Sequence, residues 1–463
     1  MLTPKIFADR RAALANTLGR PVLLMGCGTR LRNLPMNHLP FRQDSSFLYF
    51  TNCAMPDAAL LIDGEHSTLF LPPAADDDAL WHGHVETFAD HREHYGVDEV
   101  ADISTLEARC EGKELATLAV ADPAPTARAA AITRLPLRYG KQNGSDDLID
   151  AIIRMRRNKS PEELEELRHA AVSTAEAFHA VMAATEVGGS EAELAALFTG
   201  VLYARGLEPG YHPIVTVRGE VLHNPHHRNP LREGQLLLLD GGGERPSGYT
   251  VDITRTWPVD GVFTGRQRAA YEAVLESQLA AIDKVRPGVR YREVHDTAAR
   301  VLTRWLRDEG LLRGSQDELM EAHAHAVFFP HGVGHHLGMD VHDLEQFGDR
   351  AAYAPGRSRD PHFGTAYLRM DMDLEPGHVV TIEPGFYVVP AILRDDTLRE
   401  RLGAKVNWAL ATEWAHFGGI RIEDDIHCTD GHPEVITATT VKGISDIEEL
   451  VGSGVPASQR LRR

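Results

Sequence analysis

The chain has 463 residues, of which 43% are hydrophobic, so it is long enough for two or three domains with sizeable cores. Its 67 acidic residues outnumber the 48 basic ones and give a formal net charge of −19. This balance argues against nucleic acid or an anionic membrane as a partner, because both require a basic surface.

The cysteines and the apolar runs bear on the compartment. Four scattered cysteines, with no C-x-x-C pair, indicate neither a disulfide framework nor a structural zinc site. No early stretch has the pattern of a signal peptide, and no apolar run is long enough to span a bilayer. We therefore expect a cytoplasmic protein without a membrane partner.

The first third of the chain alternates helical and strand patterns. Residues 10–18 are rich in alanine and charge, as is typical of a helix, whereas 21–25, 59–62 and 68–71 are short apolar runs typical of buried strands. This alternation predicts an α/β domain at the N-terminus.

A clear helix start marks the next boundary. Ser160 can cap the free amides, Pro161 suits the first helical position, and Glu163 can complete a capping box. We therefore predict an N-terminal domain over residues 1–155 and a second domain over 156–463.

Four acids at the ends of short strands are the main chemical feature of the second domain. They are Asp240 after the apolar run 236–239, Asp252 in the alternating strand 249–257, Glu383 after 379–382, and Glu423 after 420–422. A hairpin through the glycine-rich turn at 241–243 would place Asp240 and Asp252 on neighbouring strands. A single acid at a strand end is ordinarily a residue emerging into solvent, so the argument depends on the whole set.

A histidine-rich segment completes a possible ligand set. Residues 328–336 contain His331, His335 and His336 in a glycine-flexed turn, and His342 follows shortly. One imidazole with four carboxylates suits two hard divalent cations, and the four negative charges balance the four positive ones.

Five motifs resemble, in order, the metal-binding motifs of the aminopeptidase P and prolidase family. They are Leu239-Asp240-Gly241, Val251-Asp252-Ile253-Thr254-Arg255-Thr256, His331-Gly332-x-x-His335-x-x-Gly338, Ile382-Glu383-Pro384-Gly385 and Arg421-Ile422-Glu423-Asp424. Residues 41–51 and 158–161 also resemble that family, so the likeness covers nearly the whole chain. It implies an α/β (α+β) protein whose C-terminal domain has the pita-bread fold.

The resemblance also implies roles for the acids. Asp240 and Asp252 are expected to hold one metal, Asp252 and Glu423 to bridge to the second, and His335 and Glu383 to complete the site. A hydroxide between the metals is then expected to attack the scissile carbonyl, with Glu383 as the proton shuttle.

Three further residues are expected to take part in catalysis by the same resemblance. His223 and His342 match positions that line the substrate and steady the tetrahedral intermediate. Arg421 either orients Glu423 or contacts the substrate. His331 could be a support for the glycine-rich turn.

The implied activity is that of an Xaa-Pro aminopeptidase with two divalent metal ions. Oxygen-rich ligands favour Mn²⁺, with Zn²⁺ or Co²⁺ as alternatives. The substrates would be peptides with proline in the second position, and the protein would be a homodimer or homotetramer. A prolidase confined to Xaa-Pro dipeptides is the runner-up, and a metal-free pita-bread binding module is a remote alternative.

Two insertions and one tryptophan depart from the family pattern. Extra residues lie between His342 and Glu383 and between Pro384 and Gly419, where they either wall off the pocket or lie on its rim. Trp81 lacks the paired arginines that follow it in the family. It could reach a partner subunit's site, although a buried tryptophan is the simpler interpretation.

Overall fold

The computed structural model describes residues 2–34, 36–75 and 77–460, which form two compact units. The first unit comprises Met1–Arg156 with Leu344–Ala351, and the second comprises Arg157–Asp343 with Ala352–Arg463. Within the first unit, the returning segment is held by Arg350, whose Nε donates to Asp150 at 2.7 Å. No pattern in the sequence predicted this return.

The first unit has a central sheet with helices around it. Its helices are α1 Pro4–Leu18, α2 Ser45–Thr51, α3 Asp78–His82, α4 Phe88–Tyr95, α5 Leu106–Cys110, α6 Pro123–Thr133 and α7 Asp146–Arg157. Its strands are β1 Val22–Met25, β2 Leu31–Leu34, β3 Asn37–His38, β4 Ala59–Asp63, β5 His66–Leu71, β6 Glu99–Asp102 and β7 Ala116–Thr117.

The sheet of the first unit has the strand order β6-β5-β4-β1-β7. β4 runs antiparallel to β1 and β5, whereas β6 and β7 join their neighbours in parallel. Alternate residues of β1 and β4, among them Leu23, Met25 and Leu61, pack into one buried cluster with Phe70. The predicted helix at 10–18 and the three predicted strands are confirmed.

Trp81 is not the buried tryptophan that was the simpler expectation. It lies in α3 with 63% of its surface exposed, and its indole nitrogen donates to Asp77 at 3.0 Å. Because Asp77, the residue just before α3, accepts this hydrogen bond, the indole nitrogen has a partner even though the ring is exposed.

The second unit contains the remaining elements. Its helices are α8 Pro161–Ala184, α9 Glu191–Ala204, α10 Gly265–Lys284, α11 Tyr291–Asp308, α12 Gln316–Glu321, α13 Asp349–Ala352 (which begins in the first unit), α14 Pro390–Leu393, α15 Asp396–Leu402, α16 Trp408–Glu413, α17 Ile444–Leu450 and α18 Ala457–Arg460. Its strands are β8 Glu208–Pro209, β9 Ile214–Thr216, β10 Leu236–Asp240, β11 Gly243–Glu244, β12 Thr254–Pro258, β13 Val379–Ile382, β14 Gly385–Tyr387, β15 Gly419–Arg421, β16 Asp424–His427 and β17 Glu434–Val435.

The predicted start of α8 is confirmed in its atomic detail. The Ser160 hydroxyl accepts from the Glu163 amide at 3.4 Å, and the Glu163 carboxylate accepts from the Ser160 amide at 2.9 Å. Pro161 occupies the first helical turn, where no amide donor is missed.

Two small sheets of the second unit bring distant parts of the chain together. β10 lies between β12 and β9, and β16 lies between β13 and β17. A single bridge pairs Thr254, at the start of β12, with Glu423, just before β16. The ends of both sheets therefore meet at one place.

The strand predicted over 249–257 begins only at Thr254, so its first half was predicted wrongly. Residues before it leave the ladder because the Thr250 amide donates to the Gly338 carbonyl and the Asp252 amide to the Asp425 carboxylate. The glycine-rich turn at 241–243 is required because the backbone there packs too closely for a side chain. A Cβ on Gly242 would lie 1.6 Å from the Val251 carbonyl oxygen.

All four cysteines, Cys27, Cys53, Cys110 and Cys428, are free thiols. In the described part of the chain, no helix combines the length and the apolar character needed to cross a membrane.

Candidate metal centre

The five expected ligands converge in the second unit. Ligand atoms of Asp240, Asp252 and Glu423 lie within 4.8 Å of one another, and so do those of His335, Glu383 and Glu423. All are buried except Glu383, whose side chain is 17% exposed. Four carboxylates and one imidazole thus face each other in a space that largely excludes water.

The backbone fixes the acids of the two sheets against each other. Asp240 closes β10, and Asp252 lies two residues before β12, which pairs with β10. The Glu423 amide donates to the Thr254 carbonyl at 3.0 Å, and the Asp252 amide donates to the Asp425 carboxylate at 3.1 Å. Because these contacts hold main-chain atoms, the side chains have little freedom to move apart.

His335 is oriented by its neighbours. Its amide donates to the Thr381 hydroxyl at 3.1 Å, and its Nδ1 lies 2.9 Å from the His336 carbonyl oxygen. The other ring nitrogen, Nε2, therefore faces the acids, 3.4 Å from Asp252 and 3.7 Å from Glu383. This is the usual arrangement of a metal-binding histidine, whose second nitrogen is held by a carbonyl.

Tyr211 is part of the centre, although sequence reasoning did not single it out. Its hydroxyl contacts Asp240 Oδ1 at 2.7 Å and also Asp252 Oδ1. Burial, together with these acids, raises the pKa of the Tyr211 hydroxyl well above its usual value, so it stays protonated. Tyr211 lies in an irregular stretch before β9, where neither period nor motif distinguishes it.

Arg421 binds the acidic cluster from within. Its Nη2 lies 2.5 Å from Asp240, its Nη1 donates to the Tyr387 hydroxyl at 3.0 Å, and its Nε donates to the Thr254 hydroxyl at 3.0 Å. That hydroxyl in turn donates to Glu423 at 2.7 Å. Arg421 therefore orients Asp240 directly and Glu423 through Thr254.

The other predicted histidines lie around the cluster. The His342 ring is 4.1 Å from the His335 ring, and its ligand atom joins those of Asp252 and His335 within 4.8 Å. His331 Nε2 lies 2.9 Å from the Tyr387 hydroxyl, so His331 supports the site. His223 is exposed and lines the adjoining cavity, but among the described residues it joins none of the ligand groups.

A buried ion pair anchors the segment that carries His335 and His342. Lys159 Nζ lies 3.1 Å from Asp343 Oδ2, and both side chains are 1% exposed. The Asp343 amide donates to the His336 carbonyl at 3.0 Å. Lys159 belongs to the 158–161 motif. The ion pair with Asp343 gives this motif a structural role, which could not be predicted from the sequence.

The electrostatics of the cluster fit a cation site. Burial, reinforced by the neighbouring acids, raises the pKa of Glu423 well above its usual value. Burial also raises the pKa of Glu383 to about 7, although His335 and Arg421 oppose the shift. Burial also raises the pKa of Asp240, although Arg421 opposes the shift. Ionisation of these buried carboxyl groups is unfavourable without a partner, and bound cations would stabilise their charged form. The donor set therefore suits two divalent metals.

We expect the metal-free protein to lose thermal stability as the pH rises from about 5 to about 8. Between pH 4.5 and about 7, Glu383 keeps its proton only in the folded state, so ionisation penalises folding as the pH increases. The pKa values of Glu423 and Asp240 are also raised in the folded state, so their ionisation likewise lowers the stability as the pH increases. His335, whose pKa is raised by Asp252 against the effect of burial, loses its stabilising charge over the same rise. Differential scanning fluorimetry of the chelated protein measures this slope.

The control for this prediction is the same protein saturated with Mn²⁺. Bound cations offset the charges of the acids, so its melting temperature should change much less with pH. Ionisations elsewhere affect both forms equally and cancel in the difference. Parallel curves for the two forms would contradict the prediction.

A cavity of about 480 Å³ opens from the cluster. One part of its wall is apolar and comes from Ile214, Leu222, Val341, Phe363 and Ile392. The other part carries His223, His342 and two arginines, Arg359 and Arg369. The segments 343–382 and 385–418, in which the two insertions were predicted, therefore both contribute to the wall, the first through residues 359–369 and the second through Ile392.

The sequence pattern of metallopeptidase family M24 matches residues 165–430, which is more than half of the chain. The chain belongs to metallopeptidase family M24. The pattern of the aminopeptidase P N-terminal domain matches residues 7–116 of this M24 protein.

Curated relatives support the same grouping of this M24 metallopeptidase. It is 35% identical to a probable Xaa-Pro aminopeptidase of Emericella nidulans, over 93% of each chain. It is also 35% identical to a probable Xaa-Pro aminopeptidase of Verticillium alfalfae, over 93% of this chain and 92% of the other.

Solved structures resemble this M24 metallopeptidase along its whole length. Zn-substituted Escherichia coli aminopeptidase P in complex with product matches with a TM-score of 0.81 and 30% identity, over 97% of this chain and 98% of that one. The same enzyme with the inhibitor Pro-Leu matches with a TM-score of 0.81 and 30% identity, over 99% of both chains. These findings confirm the expected family, the α/β (α+β) fold class with its pita-bread domain, and the assignment as a metallopeptidase.

Proposed function

We propose that this M24 metallopeptidase releases an N-terminal residue that precedes proline, using two divalent cations held by the five converging ligands. The observation that carries the proposal is the position of the ligands, which lie together at a cavity of about 480 Å³. Cavities of this size accept small peptide ligands. The relatives named probable Xaa-Pro aminopeptidase support the choice of substrate.

The clusters suggest how the cations would share their ligands. Asp240, Asp252 and Glu423 would hold one cation, and His335, Glu383 and Glu423 the other. Glu423 belongs to both groups, and Asp252 lies 3.4 Å from His335, so these two carboxylates are the proposed bridges. The four negative charges match the four positive charges of two divalent ions.

Bound cations would lower the pKa of a water molecule and polarise the scissile carbonyl. Glu383 is the proposed proton carrier, because it lines the cavity and its side chain is more exposed than that of Asp252. It would take a proton from the attacking water and deliver it to the proline nitrogen as the peptide bond breaks. His223 and His342 line the cavity, where they would contact the substrate carbonyl.

Mn²⁺ is the proposed native cation, with Zn²⁺ or Co²⁺ as alternatives. The ligand set contains four carboxylates and one imidazole, and carboxylate oxygen suits manganese better than softer metals. The E. coli relative is described as zinc-substituted. Activity after reloading with each metal in turn would identify the best cofactor.

We propose that the apolar wall of the cavity receives the proline ring. Ile214, Leu222 and Val341 lie on the cavity together with the metal ligands. A rigid, apolar ring fits such a wall without burying an unpaired polar group. Arg359 and Arg369 could receive the carboxylate of a short peptide, which keeps the prolidase alternative open.

We expect the Mn²⁺-loaded protein to release the first residue from a peptide of four or five residues with proline second. The test offers this peptide and an Xaa-Pro dipeptide side by side and measures the released residue by mass spectrometry. A matched peptide with alanine second is the control and should be cleaved far more slowly.

The outcomes distinguish the two proposals. Cleavage of the longer peptide means that the insertions leave the cavity open. Cleavage of the dipeptide alone would make the protein a prolidase, with the segments around Phe363 and Ile392 as the wall. No cleavage of either, with metal confirmed, would contradict the proline-specific activity.

The remaining proposals concern the domain limits, the location and the assembly of the protein. We propose the domain limits 1–155 and 156–463, a cytoplasmic location, and a homodimer or homotetramer. The hairpin of β2 and β3 supports association, because it exposes Leu31, Leu34 and Met36 to solvent at 56%, 59% and 86%. Light scattering of the purified protein would give the oligomeric state.

A further inference from the structure

A second group of metal-type ligands lies outside the dinuclear centre. Ligand atoms of His323, Asp360 and His362 lie within 4.8 Å of one another. His362 Nδ1 is 2.5 Å from Asp360 Oδ1, and the His323 and His362 rings stack at 4.9 Å with an angle of 14°. Both histidines therefore have a nitrogen close to the same carboxylate.

The surroundings orient these side chains. Arg292 Nη1 lies 3.1 Å from Asp360 Oδ2, which leaves Oδ1 directed at the histidines. His323 has a left-handed backbone with φ of 51°, and its buried Nδ1 has no hydrogen-bond partner among the described residues. The site is also accessible, because the His362 side chain is 56% exposed.

The chemistry of the group differs from that of the dinuclear centre. Two imidazoles with one carboxylate suit Zn²⁺, Ni²⁺ or Cu²⁺ better than Mn²⁺. Tetrahedral zinc ligands lie about 3.3 Å apart, so metal binding requires the ligand atoms to move closer together, and the 56% exposed side chain of His362 has room to reorient.

The group joins two separate segments of the second unit, and one of them leads into the wall of the substrate cavity. His323 lies just before the short 3₁₀ helix Ala324–Val327, whereas Asp360 and His362 lie in the first insertion. The insertion continues into Phe363 and Tyr367, which line the substrate cavity. A cation bound between the two segments would join the cavity wall to the body of the second unit.

We propose that His323, Asp360 and His362 form a third metal site that takes a histidine-preferring cation such as Zn²⁺ and clamps the first insertion over the substrate cavity. The residue types, their convergence and the orienting contact of Arg292 carry this inference. It does not depend on which peptides the enzyme cleaves.

The experiment counts metal ions in the full-length protein. The wild type, His362→Gln and the control His416→Gln are saturated with Zn²⁺, desalted and analysed by mass spectrometry of the metal. His416 is an exposed histidine outside the cluster. We expect three zinc ions per chain in the wild type and in His416→Gln, and two in His362→Gln.

Two zinc ions in the wild type, or three in His362→Gln, would overturn the site. The second result would mean that the additional ion binds adventitiously elsewhere. Since the dinuclear ligands are unchanged in both variants, a protein that binds fewer than two ions in every form would contradict the proposed dinuclear centre instead. The two failures are therefore distinguishable.

Limited trypsin digestion tests the clamp. Arg357 and Arg359 lie in the irregular part of the insertion. Zinc at ten times its dissociation constant should slow cleavage there roughly tenfold in the wild type and in His416→Gln, but not in His362→Gln. Equal cleavage with and without zinc in the wild type would overturn the clamp.

Discussion

The substitution Asp252→Asn is expected to abolish peptidase activity while leaving the fold intact. Asp252 lies 3.4 Å from His335 and belongs to a ligand group with Asp240 and Glu423, so the loss of its charge affects both proposed cations. Metal catalysis contributes several kcal/mol to the transition state, so we expect kcat/KM to fall by at least ~10³-fold. Metal analysis should show fewer than two bound ions per chain.

The control for this variant is Asp283→Asn. Asp283 is on α10 in the same unit, and its side chain is 82% exposed, so the loss of that charge should change neither metal content nor kcat/KM. Circular dichroism would verify that both variants are folded. Full metal content with normal activity in Asp252→Asn would contradict the proposed bridging role.

The substitution Arg421→Met is expected to reduce both stability and activity. Its guanidinium is buried and lies 2.5 Å from Asp240, so its removal leaves an acid without its cationic partner. Breaking a buried pair in this way costs about 3 kcal/mol, measured as a lower urea midpoint of the metal-free protein. Misplacement of Asp240 and Glu423 should also lower kcat/KM by about 10²-fold.

Arg421→Lys separates the charge of the side chain from its shape. A lysine ammonium can still pair with Asp240, so most of the lost stability should return. It cannot contact Asp240, Thr254 and Tyr387 together as the guanidinium does, so activity should stay low. Equal recovery of both properties would mean that only the charge matters at this position.

The five proposed ligands could be picked out from the sequence because each one follows a local pattern. Asp240 and Glu383 directly follow short apolar strands, and the glycines around His335 indicate a turn. Strand ends are defined by neighbouring residues, so the pattern can be found without knowing the fold. That these acids meet depends on pairings such as Thr254 with Glu423, which are remote in the chain.

Features that depend on long-range contacts could not be predicted from the sequence. Tyr211 bridges two acids from an irregular stretch, and Lys159 pairs with Asp343 across 184 positions. Tyr211 stands in no motif, and the 158–161 motif that includes Lys159 does not reveal which residue Lys159 pairs with. The start of β12 at Thr254 was also predicted wrongly. The Asp252 amide donates to the Asp425 side chain instead of to the backbone of a neighbouring strand, and the sequence does not show this contact.

Histidines were the most difficult residues to interpret from sequence. No sequence motif surrounds His323, so nothing in the sequence distinguishes it from an ordinary surface or core histidine. The structure places His323 beside Asp360 and His362, which lie in the first insertion. Only the fold of that insertion reveals the group, so composition and spacing could not predict it.

The central claim is that Asp240, Asp252, His335, Glu383 and Glu423 hold two divalent cations. The most direct measurement is anomalous diffraction at the manganese edge from crystals of the Mn²⁺-loaded protein. We predict two anomalous peaks among these five side chains, with Asp252 and Glu423 contacting both. A single peak, or peaks away from these residues, would contradict the account.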